Sequence, residues 1–426
     1  MKKKVLIITY YWPPSGGAGV QRWLKFAKYL PEFGIEPIIL TVDPEYASYP
    51  QRDESLEKDI HPELKVVKTK SFEPLSVLSG LFGQKNVPYG GFTNVNKRSF
   101  LQTVLRFIRG NFFIPDARIG WNRFAYRAAK EIILKFNINT VITTSPPHSS
   151  QLIGLKLKKK LDIRWIADFR DPWTDIYYYN DLLHLPIVKK KDEELERRVL
   201  YAADFIFTNC DSNKELLVSK IEQAERNKFY TITNGFDESD FNLKIEPPSD
   251  FIITYVGTMS EIYEPEVFFE VLKDIENNYK KKKIRFRLVG QISPVIREMI
   301  KNYKLNSIFE DIGYVNHDKA LKYMVNSSLL LYIFPKTVND RGIAGKLFEY
   351  LASKIPIIAI GAKNGDSFNI INDMNAGKMF ERNQKKEIYN YLCFILNGDY
   401  KFDNNDKINQ FTRRNITNRL VKIIYN

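Results

Sequence analysis

Short runs of Ile, Val, Leu and Phe alternate with helical patterns along this chain, and the alternation runs through twice. The first series of strand-like runs is Val5–Thr9, Pro37–Thr41, Val66–Thr69, Thr140–Thr144, Arg164–Asp168, Phe205–Thr208 and Phe229–Ile232. Helical spacing lies between many of them, at Gly19–Leu30, Asn122–Lys135, Ser150–Lys160 and Leu185–Ala203. The second series is Ile252–Val256, Arg285–Val289, Ile308–Tyr314, Leu329–Phe334 and Pro356–Ile360. Its helices fall near Pro265–Tyr279, Pro294–Tyr303, Lys319–Met324 and Ala344–Ala352. Strands that are apolar on both faces and separated by helices belong in parallel sheets covered on both sides. The fold class expected is therefore α/β, with two Rossmann-like doubly wound domains.

The turn Asn234-Gly235-Phe236-Asp237 and the pair Pro247-Pro248 mark the junction. The expected organisation is a first domain over 1–235, a second over 236–405, and a C-terminal helix over 406–426. With 426 residues, 44% of them hydrophobic, the chain has enough apolar material for two cores. It contains no run of roughly 18 apolar residues that would span a membrane. Met1-Lys2-Lys3-Lys4 followed by Val5–Thr9 faintly resembles a signal peptide, but the apolar part is short and no cleavage site follows. The expectation is a cytoplasmic protein beginning with its first strand. Cys210 and Cys393 form no ligand-spaced cluster and no disulfide framework.

The net charge is +14. Such a balance suits nucleic acid, anionic lipid or phosphorylated ligands, or reflects a general lysine bias. Two doubly wound domains match no nucleic-acid reader, so no nucleic-acid partner is expected. The stretch Ser99–Arg109 is amphipathic and basic. It lies either on a membrane surface or against the first domain with its arginines in water.

Three constellations carry chemistry. After the first strand comes Gly16-Gly17-Ala18-Gly19, opening a helix. Backbone that a ligand can approach closely, followed by a helix N-terminus, favours a pyrophosphate; the alternative is a tight turn. The dinucleotide fingerprint is incomplete, because position 22 is Arg. Second, Arg341-Gly342-Ile343-Ala344-Gly345-Lys346-Leu347-Phe348-Glu349 opens another helix. A lysine beside helix-end amides can neutralise a diphosphate, and a carboxylate can accept ribose hydroxyls; the alternative is an exposed Lys–Glu pair. Third, Asp168-Phe169-Arg170-Asp171 and His148 follow strand ends, where ligands of open α/β sheets bind. His148 is either a catalytic or acceptor-binding group or a structural histidine. No cluster has metal-ligand spacing and no G-x-S-x-G elbow is present.

Taken in order, these features resemble the GT-B glycosyltransferases, specifically the large retaining family four. The matching segments are Tyr11-Trp12-Pro13-Pro14, Gly16–Val20, Asp168–Trp173, Asn234–Asp237, Tyr255-Val256-Gly257-Thr258 and Lys346–Ala352. The resemblance implies two domains facing a cleft, the first for the acceptor and the second for a nucleotide-sugar, with the last helix crossing back to the first domain. It implies transfer of a sugar with retention to a glycan or lipid-linked acceptor in surface polysaccharide synthesis, without metal or other cofactor. Work at the inner membrane face is a further expectation. The implied donor residues are Gly17, Ala18, Gly19, Gly257, Arg341, Gly345, Lys346, Leu347 and Glu349. The implied acceptor residues are His148 and Arg170, and the implied catalytic set is Lys346, His148 and Asp171. Two positions depart from the family. Arg341 stands where many members carry a glutamate that touches the sugar. Thr258–Glu264 lacks the cations that many carry at the diphosphate. A catalytically impaired sugar-nucleotide-binding or scaffold protein of the same fold is the alternative.

Overall fold

The computed structural model describes residues 3–73, 100–221, 226–279, 281–336, 342–400 and 406–425. Arg341, and the part of the basic stretch before Phe100, lie outside them. By internal contacts the chain divides into two units, Met1–Thr233 with Thr417–Asn426, and Asn234–Ile416.

In the first unit the strands are β1 (Lys3–Ile8), β2 (Ile35–Val42), β3 (Lys65–Thr69), β4 (Thr140–Ser145), β5 (Arg164–Phe169), β6 (Phe205–Thr208) and β7 (Phe229–Thr231). The helices are α1 (Ala18–Tyr29), α2 (Phe100–Phe112), α3 (Asn122–Phe136), α4 (Ser149–Lys158), α5 (Pro186–Ala202) and α6 (Asp211–Ser219). The strands form a parallel sheet in the order β3-β2-β1-β4-β5-β6-β7. Val5 pairs with Pro37 on one side and Thr140 on the other. The order reverses between β1 and β4, so this is the sheet's switch point, where crossover helices leave opposite faces and a crevice opens. Leu6, Ile8, Ile38, Leu40, Trp121 and Trp165 are buried in its core.

The second unit repeats the plan. Its strands are β8 (Phe251–Val256), β9 (Ile284–Val289), β10 (Phe309–Gly313), β11 (Leu329–Ile333), β12 (Ile357–Ile360) and β13 (Gly377–Phe380). Its helices are α7 (Glu266–Asn278), α8 (Pro294–Asn302), α9 (His317–Val325), α10 (Lys346–Ser353), α11 (Asp366–Asp373) and α12 (Lys385–Leu396). The sheet order is β10-β9-β8-β11-β12-β13, all parallel, with the switch point between β8 and β11. Ile253, Phe268, Phe286, Leu331 and Ile358 fill this core. Each such side chain taken out of water contributes about 1.5–3 kcal/mol.

The last helix, α13 (Arg413–Tyr425), starts in the second unit, where the Arg413 amide donates to Phe236 O at 2.7 Å. From Thr417 it belongs to the first unit. There Arg164 Nη1 donates to Ile424 O at 2.5 Å, and Arg419 Nη2 to Thr231 O at 3.2 Å.

Two expectations need correction. β13 was not among the expected strands: Gly377 opens it, and Lys378 interrupts its short apolar run. Gly377 is required there, since a Cβ would come within 2.0 Å of Ile357 O on β12. The arginines of α2 are also not in water. Arg106 is buried and Arg109 is half-buried, while Phe100, Phe107 and Phe112 face outward. Among the described residues no helix is long and apolar enough to cross a membrane.

Candidate active site

In the second unit, β8 ends at Gly257, which has φ +121°. A side chain there would be strained, and its Cβ would lie 3.7 Å from Lys346 Nζ. Gly290, at the end of β9, packs directly on it: a Cβ at Gly290 would meet Gly257 O at 2.2 Å. Two strand-end glycines therefore let the backbone come close to the first residue of α10. That residue is Lys346. Its helix is capped by Gly345, which has no side chain to bond the N-terminal amides; the Leu347 and Phe348 amides donate to Ala344 O at 2.9 Å and Gly345 O at 3.2 Å, and the positive end of the helix dipole lies at this end.

Lys346 Nζ lies 3.6 Å from the centroid of the Tyr255 ring, with Tyr263 at 5.9 Å and Tyr332 at 5.8 Å. The three phenol rings offer the ammonium their electron-rich faces. Among the described residues it has no carboxylate partner. Burial lowers its pKa to about 7, because an ammonium loses more hydration than a neutral amine. The tyrosines are themselves fixed. The Tyr255 hydroxyl donates to Thr258 O at 2.9 Å, and the Tyr332 hydroxyl lies 2.9 Å from Ser367 Oγ.

Glu349 sits one turn into α10, yet it does not pair with Lys346. Its Oε1 is 2.9 Å from Nε2 of His317, the first residue of α9. Leu347 is buried and anchors the helix. Two cations from distant sequence lie beside Thr258–Glu264, and both pair with Glu264. Lys336 Nζ lies 3.1 Å from Glu264 Oε1, and Arg382 Nε lies 3.4 Å from Glu264 Oε2. Arg382 Nη2 also donates to Phe334 O at 2.6 Å and Tyr263 O at 3.3 Å. Sequence reasoning missed Arg382; its position just past the end of β13 was the available signal.

The switch point of the first unit is built differently. Gly17 has φ +96° and precedes α1, whose first residue is Ala18. Gly19 lies against Arg170: a Cβ there would come within 2.0 Å of its Nη1. Arg170 in turn donates to Ser145 O at 3.2 Å and Pro146 O at 2.8 Å, so the guanidinium ties the glycine loop to the end of β4. Arg22, standing where the dinucleotide fingerprint has its third glycine, is fully buried. Its Nη2 meets Asp168 Oδ1 at 2.7 Å, and its Nη1 donates to Ile232 O at 2.8 Å. Asp168 also accepts from Trp23 Nε1 at 2.7 Å and Thr144 Oγ1 at 2.8 Å. It is a structural hub and is not open to a ligand.

His148 and Asp171 remain. The His148 ring stacks on Trp173 at 5.3 Å and is buried, and neither ring nitrogen has a hydrogen-bond partner. Burial, then the nearby Arg170 and Lys220 charges, lower its pKa to about 3, so the imidazole is neutral. Burial pushes the Asp171 carboxyl upward, and Arg170 opposes it. The N-terminus of α4, just after His148, is already satisfied. Asp116 accepts from the Ser149 amide at 2.7 Å and from Ser149 Oγ at 2.8 Å.

Residues 250–397 match the model of a family described as "Glycosyl transferases group 1". The fold is GT-B, and the stretch that matches the family model lies in the second unit. A glycosyltransferase from Rickettsia africae superposes with TM-score 0.63 at 17% identity, covering 100% of this chain and 99% of that one. A sucrose-phosphate synthase from Thermosynechococcus elongatus gives 0.62 at 14% identity, covering 99% and 98%. An Anabaena protein solved with UDP and glucose gives 0.58 at 11% identity, covering 99% and 96%. At these identities the likeness is one of fold. No curated protein matches by sequence. In this GT-B chain the family match spans the Lys346 site, from β8 through α12.

Proposed function

We propose that the protein is a retaining glycosyltransferase that moves a sugar from a nucleotide-sugar donor to a glycan or lipid-linked acceptor in surface polysaccharide synthesis. The observation that carries this reading is Lys346: an ammonium with no carboxylate partner among the described residues, at a glycine-capped helix N-terminus, at the switch point of a unit that matches group 1 glycosyl transferases. The UDP and glucose bound by the Anabaena fold relative support a nucleotide-sugar as donor.

The chemical problem is the leaving group. As the glycosidic bond to the diphosphate breaks, negative charge grows on the departing oxygens and positive charge on the sugar ring. Lys346 and the Gly345–Lys346 amides face that growing charge with donors already in place. Gly257 keeps the β8 end bare, so the diphosphate can approach the ammonium. Leu347 holds the helix in register, and Glu349 accepts the ribose hydroxyls. In the first unit, His148 is the candidate acceptor-side group, a neutral imidazole whose two buried nitrogens have no hydrogen-bond partner among the described residues. Arg170 orients the loop beside it, and Asp171 is the candidate proton acceptor. The Gly17–Gly19 backbone gives close access to the reacting groups. Arg341 remains a candidate second cation for the donor.

A thermal-shift screen against nucleoside diphosphates and their sugar conjugates tests the donor class, since a bound ligand raises apparent stability by mass action. The reading expects one base to raise Tm in the wild type and not in Lys346→Ala or Glu349→Ala. It also expects slow release of the nucleoside diphosphate without acceptor. A ligand shift with no release under any acceptor condition would favour a binding protein of the same fold. Undiminished turnover in either variant would remove the site assignment.

A further inference from the structure

Helix α5 turns two carboxylates inward. Asp192 and Glu196 stand one turn apart on the face that also carries Val199 and Leu200, and all four are buried. Apolar side chains would fill those positions without the cost of desolvating a carboxylate, which is borne only where hydrogen bonds offset it. The bonds all go to one short segment and to Lys220. Asp192 Oδ1 accepts from Trp173 Nε1 at 2.9 Å, and its Oδ2 accepts from the Tyr179 hydroxyl at 2.9 Å. Glu196 Oε2 accepts from Thr174 Oγ1 at 2.6 Å and from Lys220 Nζ at 2.6 Å. Lys220 also donates to Thr174 Oγ1 at 2.8 Å and pairs with Asp175.

Residues 170–178 belong to no helix or strand. With no ladder to fix the segment, its course depends on side-chain bonds such as these. It carries Arg170 and Asp171 out of β5, and Trp173 follows two residues after Asp171. The Trp173 indole, 1% exposed, lies against His148 with the ring planes 15° from parallel. Among the described residues no hydrogen bond sets the plane of the imidazole, so the indole face sets it. The indole is held in turn by its N–H bond to Asp192. The line of contact runs from Asp192 through Trp173 to His148, all within the first unit.

We propose that Asp192 is a positioning residue for the acceptor side of the reaction: it fixes the Trp173 indole and, through it, the orientation of the His148 imidazole. The inference rests on the reading of His148 as an acceptor-side group. An amide at position 192 can stand in for the carboxylate, its oxygen accepting from Trp173 and its NH2 donating to the Tyr179 hydroxyl oxygen. An aliphatic side chain of similar size cannot.

Proton NMR of the full-length protein with isotope-labelled histidine tests the geometry, with His148→Gln identifying the resonances of that ring. The stacked indole moves the His148 ring protons upfield in the wild type. Asp192→Asn keeps that shift and Asp192→Leu loses most of it. Should Asp192→Leu fold poorly, Asp192→Leu/Tyr179→Phe removes the second orphaned hydroxyl and is read in the same way. Kinetics use the donor selected by the thermal-shift screen, with n-octyl β-glycosides as acceptor probes. Asp192→Leu lowers acceptor kcat/KM by about tenfold or more, and Asp192→Asn by less than about threefold. The rise in Tm given by the nucleotide is the same in both variants, since the donor site lies in the other unit. In a His148→Gln background Asp192→Leu costs less than about twofold, as expected of two residues acting in series. The proposal is overturned if Asp192→Leu keeps the wild-type His148 shift, or if Asp192→Asn behaves like Asp192→Leu. A full second loss in the His148→Gln background also overturns it, because Asp192 would then act on the segment without His148. If Asp192→Leu moves the ring while it and His148→Gln both transfer like the wild type, the positioning stands and the acceptor reading of His148 falls.

Discussion

The two switch points share one topology and treat positive charge in opposite ways. In the first unit the cations are consumed internally. Arg22 is locked to Asp168, Arg170 braces Gly19 against the end of β4, and Asp116 satisfies the N-terminus of α4. In the second unit, among the described residues, Lys346 rests on aromatic faces, and Gly345 caps its helix without a side chain. Glycine after a strand therefore has two uses in one molecule. Around Gly19 it makes room for a protein guanidinium, and at Gly257 it leaves room beside a free ammonium. The same β–loop–α signature is braced by a protein guanidinium in one place and holds an ammonium without a described carboxylate partner in the other.

Removing one charge from each switch point tests this contrast most severely. Asp168→Ala strands a fully buried guanidinium and should cost about 3–5 kcal/mol of stability, read from denaturant unfolding. Lys346→Ala should cost turnover instead, about 10²–10³-fold, with Tm unchanged or raised, because a poorly hydrated ammonium has been taken away. If Lys346→Ala proved as destabilising as Asp168→Ala, the second site would be scaffold as well.

Titration separates the two units further. On the proposed reading a diphosphate binds the protonated form of Lys346, whose pKa burial lowers to about 7. Donor binding then takes up a proton. The donor Kd should rise with pH above about 7, by up to about tenfold per pH unit. Calorimetry in buffers of different ionisation enthalpy would register the uptake directly. His148, with a pKa of about 3, should add no inflection to the rate profile between about pH 5 and pH 8. An inflection there that disappeared in His148→Gln would mean that the imidazole becomes charged during turnover.

The smallest effects are expected at the glycines. Gly257→Ala forces a side chain into a positive φ at a cost of about 1–2 kcal/mol and brings a methyl into contact with Lys346, so it should weaken donor binding. Gly17→Val carries similar strain, but no heavy atom lies within 4 Å of the Cβ position. It should lower turnover more than donor affinity, and a KM-against-kcat comparison distinguishes the pair.

Periodicity revealed the strands because fully buried parallel strands must be apolar on both faces, a demand that leaves a plain mark. It failed at β13, an edge strand opened by a glycine that its neighbour requires. Spacing also located Gly345, Lys346 and Glu349 at a helix start, because a helix imposes that spacing locally. Their partners were not legible. Tyr255 and His317 reach the site by sheet order and by the packing of α9 beside α10, which join positions far apart in sequence. The inward turn of Arg106 ran against its charge. A long guanidinium stem can be buried along apolar surface.

The path of α13 has a practical side. The chain enters the second unit at Asn234 and leaves it at Ile416 without interruption, then returns to complete the first. In chain order the second unit is an insertion inside the first. A cut beyond Ile416 would strip most of a helix from the unit that comes first in the sequence, leaving the unit just upstream of the cut whole.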